Sequence, residues 1–124
     1  METNNIPNNI KWGDIYFADL GEVEYKGEIS GQRPVVILQN NVGNQNSPTV
    51  TIAPITSNLN KKNFPTHLLI EKNEGGMKMD SVVATEQIKT ISKERIRFKI
   101  GSLSKEKMEA ILNRLNIQIG GNNT

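Results

Sequence analysis

Val35, Val36, Ile37 and Leu38 form the only run of four consecutive strongly apolar residues in this 124-residue chain. All four are branched aliphatics flanked by polar and turn-forming residues, a pattern that predicts a buried strand. Immediately before the run, Pro34 disfavours helical backbone angles at Arg33 and holds that residue extended. A permanent cation therefore stands at the mouth of a rigid strand, and the other elements have to be fitted around it.

The segment Trp12–Leu20 alternates, with Ile15 and Phe17 on one side and Asp14, Tyr16, Ala18 and Leu20 on the other. It predicts a first, half-buried strand. Gly21 to Gln32 breaks that pattern with three glycines and mixed charges, and at about a dozen residues it exceeds an ordinary hairpin connection. Long connections in compact domains are often binding loops. After the central strand, Asn40 to Pro48 is dense in turn formers and predicts a chain reversal. Thr49–Thr56 reads as a third strand, with Pro54 placing its end at an edge or bulge. Thr66–Ile70 reads as a fourth strand, turned by Asn73-Glu74-Gly75-Gly76, and Ser81–Ile88 as a fifth. Thr90–Ile96 reads as one helical turn capped by Ser92, and Phe98–Ser102 as a last short strand. The chain then changes character. Ser104 caps a helix whose apolar residues Met108, Ile111, Leu112, Leu115 and Ile119 follow a 3.6-residue repeat, and Gly120-Gly121 stops it. The predicted fold is mainly β: a curled antiparallel sheet or SH3-like small barrel with a C-terminal helix, whose apolar stripe lies on the sheet or against a second subunit.

Composition narrows the chemistry. Fifteen Lys and Arg against thirteen Asp and Glu give a formal charge of only +2, which permits a local basic groove without demanding nucleic acid. With no cysteine, disulfides, thiolate metal sites and Cys nucleophiles are excluded. His67 is the single histidine, and Asp14, Asp19 and Asp80 lack ligand spacing, so no metal or other cofactor is expected. The N-terminus has no signal-peptide pattern, and no segment approaches a membrane span. The expectation is a cytoplasmic protein with a flexible leader over residues 1–10, one domain over 11–119 and a flexible tail over 120–124.

Several strings then coincide in order. These are Gly13 to Leu20, Gly31-Gln32-Arg33-Pro34 through Asn40, Ser47-Pro48-Thr49 through Ser57, Pro65-Thr66-His67, and Asp80-Ser81-Val82-Val83 with Glu86 through Ile91. Together they resemble the MazF/PemK toxins of bacterial type II toxin–antitoxin systems, over about Lys11 to Leu115. The resemblance implies a metal-independent, sequence-specific endoribonuclease that cuts single-stranded mRNA and arrests growth. It also implies a homodimer neutralised by a MazE-like antitoxin whose disordered C-terminal segment folds across the RNA groove. The leader Met1 to Asn9 is longer than the family pattern implies and the charged loop Glu22 to Glu28 matches no fixed motif, so cleavage specificity does not carry over.

Metal-free RNA cleavage uses the neighbouring 2′-hydroxyl as nucleophile and leaves a 2′,3′-cyclic phosphate and a 5′-hydroxyl. It needs a proton acceptor, a proton donor and stabilisation of the phosphorane charge. Arg33 matches the family's catalytic arginine, and its planar guanidinium suits two phosphate oxygens better than it suits a base. Thr56 matches the active-site threonine, with a hydroxyl able to donate to phosphate. One residue starts the second strand and the other ends the third, so an antiparallel pair brings both to one rim. His67, a lone histidine on a strand, reads as structural or RNA-contacting rather than as the base. Asn40, Ser57, Pro65, Glu86 and Gln87 match family positions near the groove, where amides and hydroxyls read splayed bases. Glu28 on the long loop is assigned to RNA contact as well. Lys61 and Lys62 suit phosphate contact or plain solvation, and Phe64 suits stacking on a base.

Two other functions compete. A non-catalytic, CcdB-like poison that binds a protein target is opposed by the presence of Arg33 and Thr56 together. A small-barrel peptide-binding module is opposed by the supply of aromatics, three Phe, two Tyr and one Trp.

Overall fold

The computed structural model describes residues 7–22, 25–59 and 64–121. Among these, the chain forms β1 (Asp14–Asp19), β2 (Gln32–Ile37), a short helix α1 (Asn41–Asn46), β3 (Thr49–Thr56) and β4 (His67–Ile70). It continues with β5 (Ser81–Ala84), β6 (Lys89–Ser92), β7 (Ile96–Ser102) and the helix α2 (Lys105–Gln118). The seven strands pair antiparallel in the order β4-β5-β3-β2-β1-β7, with β6 also against β3. β4 and β7 end the sheet without meeting, so the sheet is unclosed and no full barrel forms. No helix among the described residues is long and apolar enough to cross a membrane.

The apolar run explains the centre of this arrangement. Val35 and Ile37 enter one core cluster with Tyr16, Ala18, Val50 and Ile52. Val36 enters a second with Ile15, Ala53, Ile55, Met108 and Ile111. Each face of β2 thus meets its own core, which is why its apolar residues need not alternate with polar ones. Burying each of these aliphatics contributes about 1.5–3 kcal/mol as an upper estimate. The same two-sided burial corrects the reading of β1 as half buried, because Asp14, Ile15, Tyr16 and Ala18 are all buried. Ile10 is buried too, at 5% exposure, so core packing already includes the last residue of the expected leader.

Three further elements depart from the sequence reading. Asn40 to Pro48 contains α1, because the Asn40 side chain accepts from Gly43 N at 2.8 Å and caps a helical turn. Thr90 and Ile91 belong to β6, drawn into the sheet by pairing with Thr51 and Val50; only Lys93–Arg95 coils, with Ser92 as the cap. The fifth strand stops at Ala84 and gives way to a 3₁₀ turn, Thr85–Gln87. β3 is central, and its end lies not at a sheet edge but at a break in the outer ladder. Pro54 falls where its outer neighbour changes from β6, paired as far as Ile52, to β5, paired from Ile55. A residue without an N–H is tolerated at such a gap in the ladder.

The C-terminal helix is capped as expected, Ser104 Oγ accepting from Lys107 N. Met108 and Ile111 face the second core, whereas Leu112, Ile117 and Ile119 are exposed. Lys107 and Arg114 donate to the Leu69 and His67 carbonyls, so α2 also covers part of the β4 edge.

A Cβ on Gly101 would lie 2.2 Å from the Gly75 carbonyl oxygen, a backbone atom with no rotamer to yield. Gly101→Ala is expected to lower stability by about 3 kcal/mol, read as an earlier urea midpoint with unchanged slope. Burial, and secondarily the Asp14 charge, push the Tyr16 phenol above its ordinary 10.0. The folded state therefore holds that proton more tightly than the unfolded chain. The stability this supplies is complete below pH 10 and is lost as pH rises from there through the folded pKa. Tyr16→Phe is expected to flatten the decline of stability above pH 10 relative to wild type, measured by urea unfolding at stepped pH.

Candidate active site

β2 and β3 run antiparallel with Val35 opposite Pro54 and Ile37 opposite Ile52. Carried two residues beyond Val35, that register sets Arg33 opposite Thr56. Side chains alternate along a strand, so Arg33 shares a face with Val35 and Ile37, and Thr56 shares it with Ile52 and Val50. In β5 the same face carries Val82 and Ala84, through the pairing of Thr56 with Val82. In β4 it carries His67, opposite Ala84. One side of the sheet thus gathers Arg33, Thr56 and His67 from three strands.

Each has a defined environment. Arg33 is half-buried, and its Nε donates to the Ser30 carbonyl at 2.7 Å, which leaves the two terminal nitrogens as donors for a ligand. No carboxylate among the described residues pairs with it. Thr56 is 8% exposed, and its Oγ1 accepts from Asn58 N at 3.2 Å, so its own O–H is available to donate. His67 is 2% exposed, with Nε2 2.7 Å from the Glu86 carboxylate. Thr66 Oγ1 donates to the same carboxylate at 3.2 Å, and Arg114 Nε donates to the His67 carbonyl at 3.3 Å. The Phe64 ring stacks on the imidazole, centroids 4.9 Å apart and planes 19° apart. An imidazole this enclosed, its Nε2 committed to a carboxylate, is a brace for the site more readily than a proton acceptor.

The remaining predicted positions separate into groups. Glu86 and Gln87 lie together on the 3₁₀ turn after β5 and, with Lys26 and Glu28 of the long loop, line a groove of about 410 Å³. Glu28 is exposed, as are Ser57, Pro65 and Phe64, the last at 52%. Ser57 joins Arg33, Pro34, Met77, Met79 and Phe98 around a second groove of about 370 Å³, largely apolar, on the other side of the rim. Asn40 is not at this rim. It follows the opposite end of β2, with its side chain used to cap α1. Lys61 and Lys62 lie outside the described residues.

Sequence reasoning did not single out Ser30, whose carbonyl orients Arg33, nor Arg114, which reaches β4 from the last helix. A backbone acceptor leaves no trace in residue identity, and Arg114 is 47 residues from its partner. Neither could be read locally. Among the described residues no group of three or more His, Cys, Asp or Glu could hold a metal ion.

Residues 11–119 match the family model described as the PemK-like, MazF-like toxin of type II toxin–antitoxin systems. The chain is 47% identical over 114 residues to the Endoribonuclease MazF of Staphylococcus epidermidis, covering 92% of this chain and 94% of that protein. In fold it is similar to MazF from Deinococcus radiodurans, with a TM-score of 0.75 at 16% identity over 94% of this chain and 99% of that one. It is also similar to a mycobacterial endoribonuclease solved in complex with its cognate antitoxin, with a TM-score of 0.71 at 22% identity over 92% and 96%. At those identities the two structures speak to the fold alone.

Proposed function

This chain belongs to the MazF/PemK family of type II toxins and is an endoribonuclease, and from that premise we propose that it cuts single-stranded mRNA at a short sequence without a metal. In this reading the 2′-oxygen bonds to the adjacent phosphorus and loses its proton as the bond to the 5′ oxygen breaks and that oxygen gains a proton, so the products are a 2′,3′-cyclic phosphate and a 5′-hydroxyl. The terminal nitrogens of Arg33 bind the non-bridging oxygens as charge grows on the phosphorane. Thr56 donates a hydrogen bond from its hydroxyl to one of them and keeps its proton. The His67–Glu86 pair fixes the floor beneath, while the exposed Phe64, Pro65 and Ser57 are placed to meet bases. The observation that carries the assignment is the convergence of Arg33 and Thr56 on one face of antiparallel neighbours, each with donors left for a phosphate.

The toxin acts in the cytoplasm, as a homodimer, and is silenced by a MazE-like antitoxin. The apolar groove of Met77, Met79 and Phe98 supports the dimer, since Met79 and Phe98 are more than half exposed in a single chain. The CcdB-like reading gains nothing from the site, which presents phosphate donors that a protein-binding poison has no use for. Incubating the purified protein with a long unstructured RNA in EDTA, and mapping every new end, tests the assignment. Cuts at one short sequence, bearing cyclic phosphates, are expected; intact RNA from correctly folded protein overturns it.

A further inference from the structure

Among the described residues, the Gln87 side chain fastens the β1–β2 loop to the 3₁₀ turn after β5. Gln87 Oε1 accepts from Ile29 N at 2.6 Å, and Gln87 Nε2 donates to the Gly27 carbonyl at 2.7 Å. An amide with its oxygen and nitrogen exchanged would set donor against donor and acceptor against acceptor, so the orientation is fixed by its partners. The two bonds flank Glu28, in the way a neighbouring strand pairs with alternate residues. Ile29 is buried in the first core cluster, and the next residue, Ser30, supplies the carbonyl that accepts from Arg33 Nε at 2.7 Å. The base of the loop is closed separately, by Gly31 N to the Gly21 carbonyl and Leu20 N to the Gly31 carbonyl.

We propose that Gln87 is a positioning residue, its side-chain amide clasping Gly27–Ile29 and thereby setting the Arg33 guanidinium through the Ser30 carbonyl. The clasp also fixes the backbone of Glu28 beside the groove it shares with Glu86 and Lys89. This inference rests on the reading of Arg33 as a phosphate-binding group. It replaces base reading as the task of Gln87, because each polar atom of the amide is already bonded to loop backbone, which fixes the amide's orientation. The two roles make opposite predictions.

The test compares wild type, Gln87→Ala and the isosteric Gln87→Glu as full-length protein, with thermal unfolding to confirm that each is folded. Gln87→Glu keeps an acceptor for Ile29 N but sets a carboxylate oxygen against the Gly27 carbonyl. In RNA-free protein, exchange of the Ile29 amide is expected to accelerate about tenfold, and the Arg33 Nε–H resonance to shift and lose protection. With RNA, kcat is expected to fall about tenfold, while KM and the cut sequence stay as in wild type. Unchanged Ile29 exchange and an unmoved Arg33 resonance overturn the clasp. A relaxed cut sequence or weaker binding of an uncleavable oligonucleotide, with kcat intact, overturns it in favour of base reading. The two spectroscopic readouts decide the clasp even if the wild-type protein proves unable to cut RNA, which would instead be a failure of the functional reading.

Discussion

Arg33→Ala is expected to slow RNA cleavage by roughly 10³-fold, about 4 kcal/mol of transition-state stabilisation, with the fold intact. The magnitude follows from what the site offers. The register sets Arg33 directly opposite Thr56, and among the described residues no carboxylate pairs with it to spend its charge. The half-buried position strengthens its attraction to a phosphorane relative to a fully solvated arginine. On stability, only the bond to the Ser30 carbonyl is lost, about 1 kcal/mol. Circular dichroism should therefore stay as in wild type and the urea midpoint fall by no more than about 1 M while single-turnover cleavage collapses. Arg33→Lys separates charge from geometry. It keeps the cation but loses both the planar fork and the Nε donor to Ser30, so a loss of roughly 10²-fold is expected.

Thr56→Val is expected to cost roughly 10²-fold in the same assay. Valine preserves the branched shape that ends β3 and removes only the hydroxyl, so the substitution reports on the hydrogen bond expected to phosphate rather than on packing. It also leaves Asn58 N without the Thr56 acceptor, a modest local cost beside a largely exposed loop. If both residues act on the same phosphoryl group, the double variant should fall short of the product of the two single effects. Strict multiplication would mean that the two contribute independently of each other. Binding of an uncleavable RNA should weaken far less than cleavage in either variant, since the donors act chiefly on charge that develops in the transition state.

The sheet was legible in the sequence because its strands obey simple rules. The unbroken run Val35 to Leu38, the Thr49–Thr56 alternation and the capped helix after Ser104 each carry their own signal. What misled was context. β1 alternates as a half-buried strand does, yet the second core beneath α2 buries its other face as well. Thr90 and Ile91 look like the approach to a helical turn, and tertiary pairing with β3 overrides that local preference. The nine residues from Asn40 are all compatible with a loose turn, and a single side-chain cap selects a helix instead. For the site, strand order alone predicted that Arg33 and Thr56 share a rim, and the register agrees. The parts that hold them could not be seen. The Ser30 carbonyl, the Gln87 clasp 58 residues from Ile29 and the Glu86 partner of His67 are long-range or backbone contacts.

The central claim is that Arg33 and Thr56 assist attack by the substrate's own 2′-hydroxyl. It is tested most directly with two chemically synthesised oligonucleotides of the mapped target sequence, one all-RNA and one with a single 2′-deoxy nucleotide at the cleaved position. In EDTA, the all-RNA strand should be cut to a cyclic phosphate and the deoxy strand should bind but remain whole. Cleavage of the deoxy strand at a comparable rate would mean that another nucleophile attacks, and would contradict the mechanism.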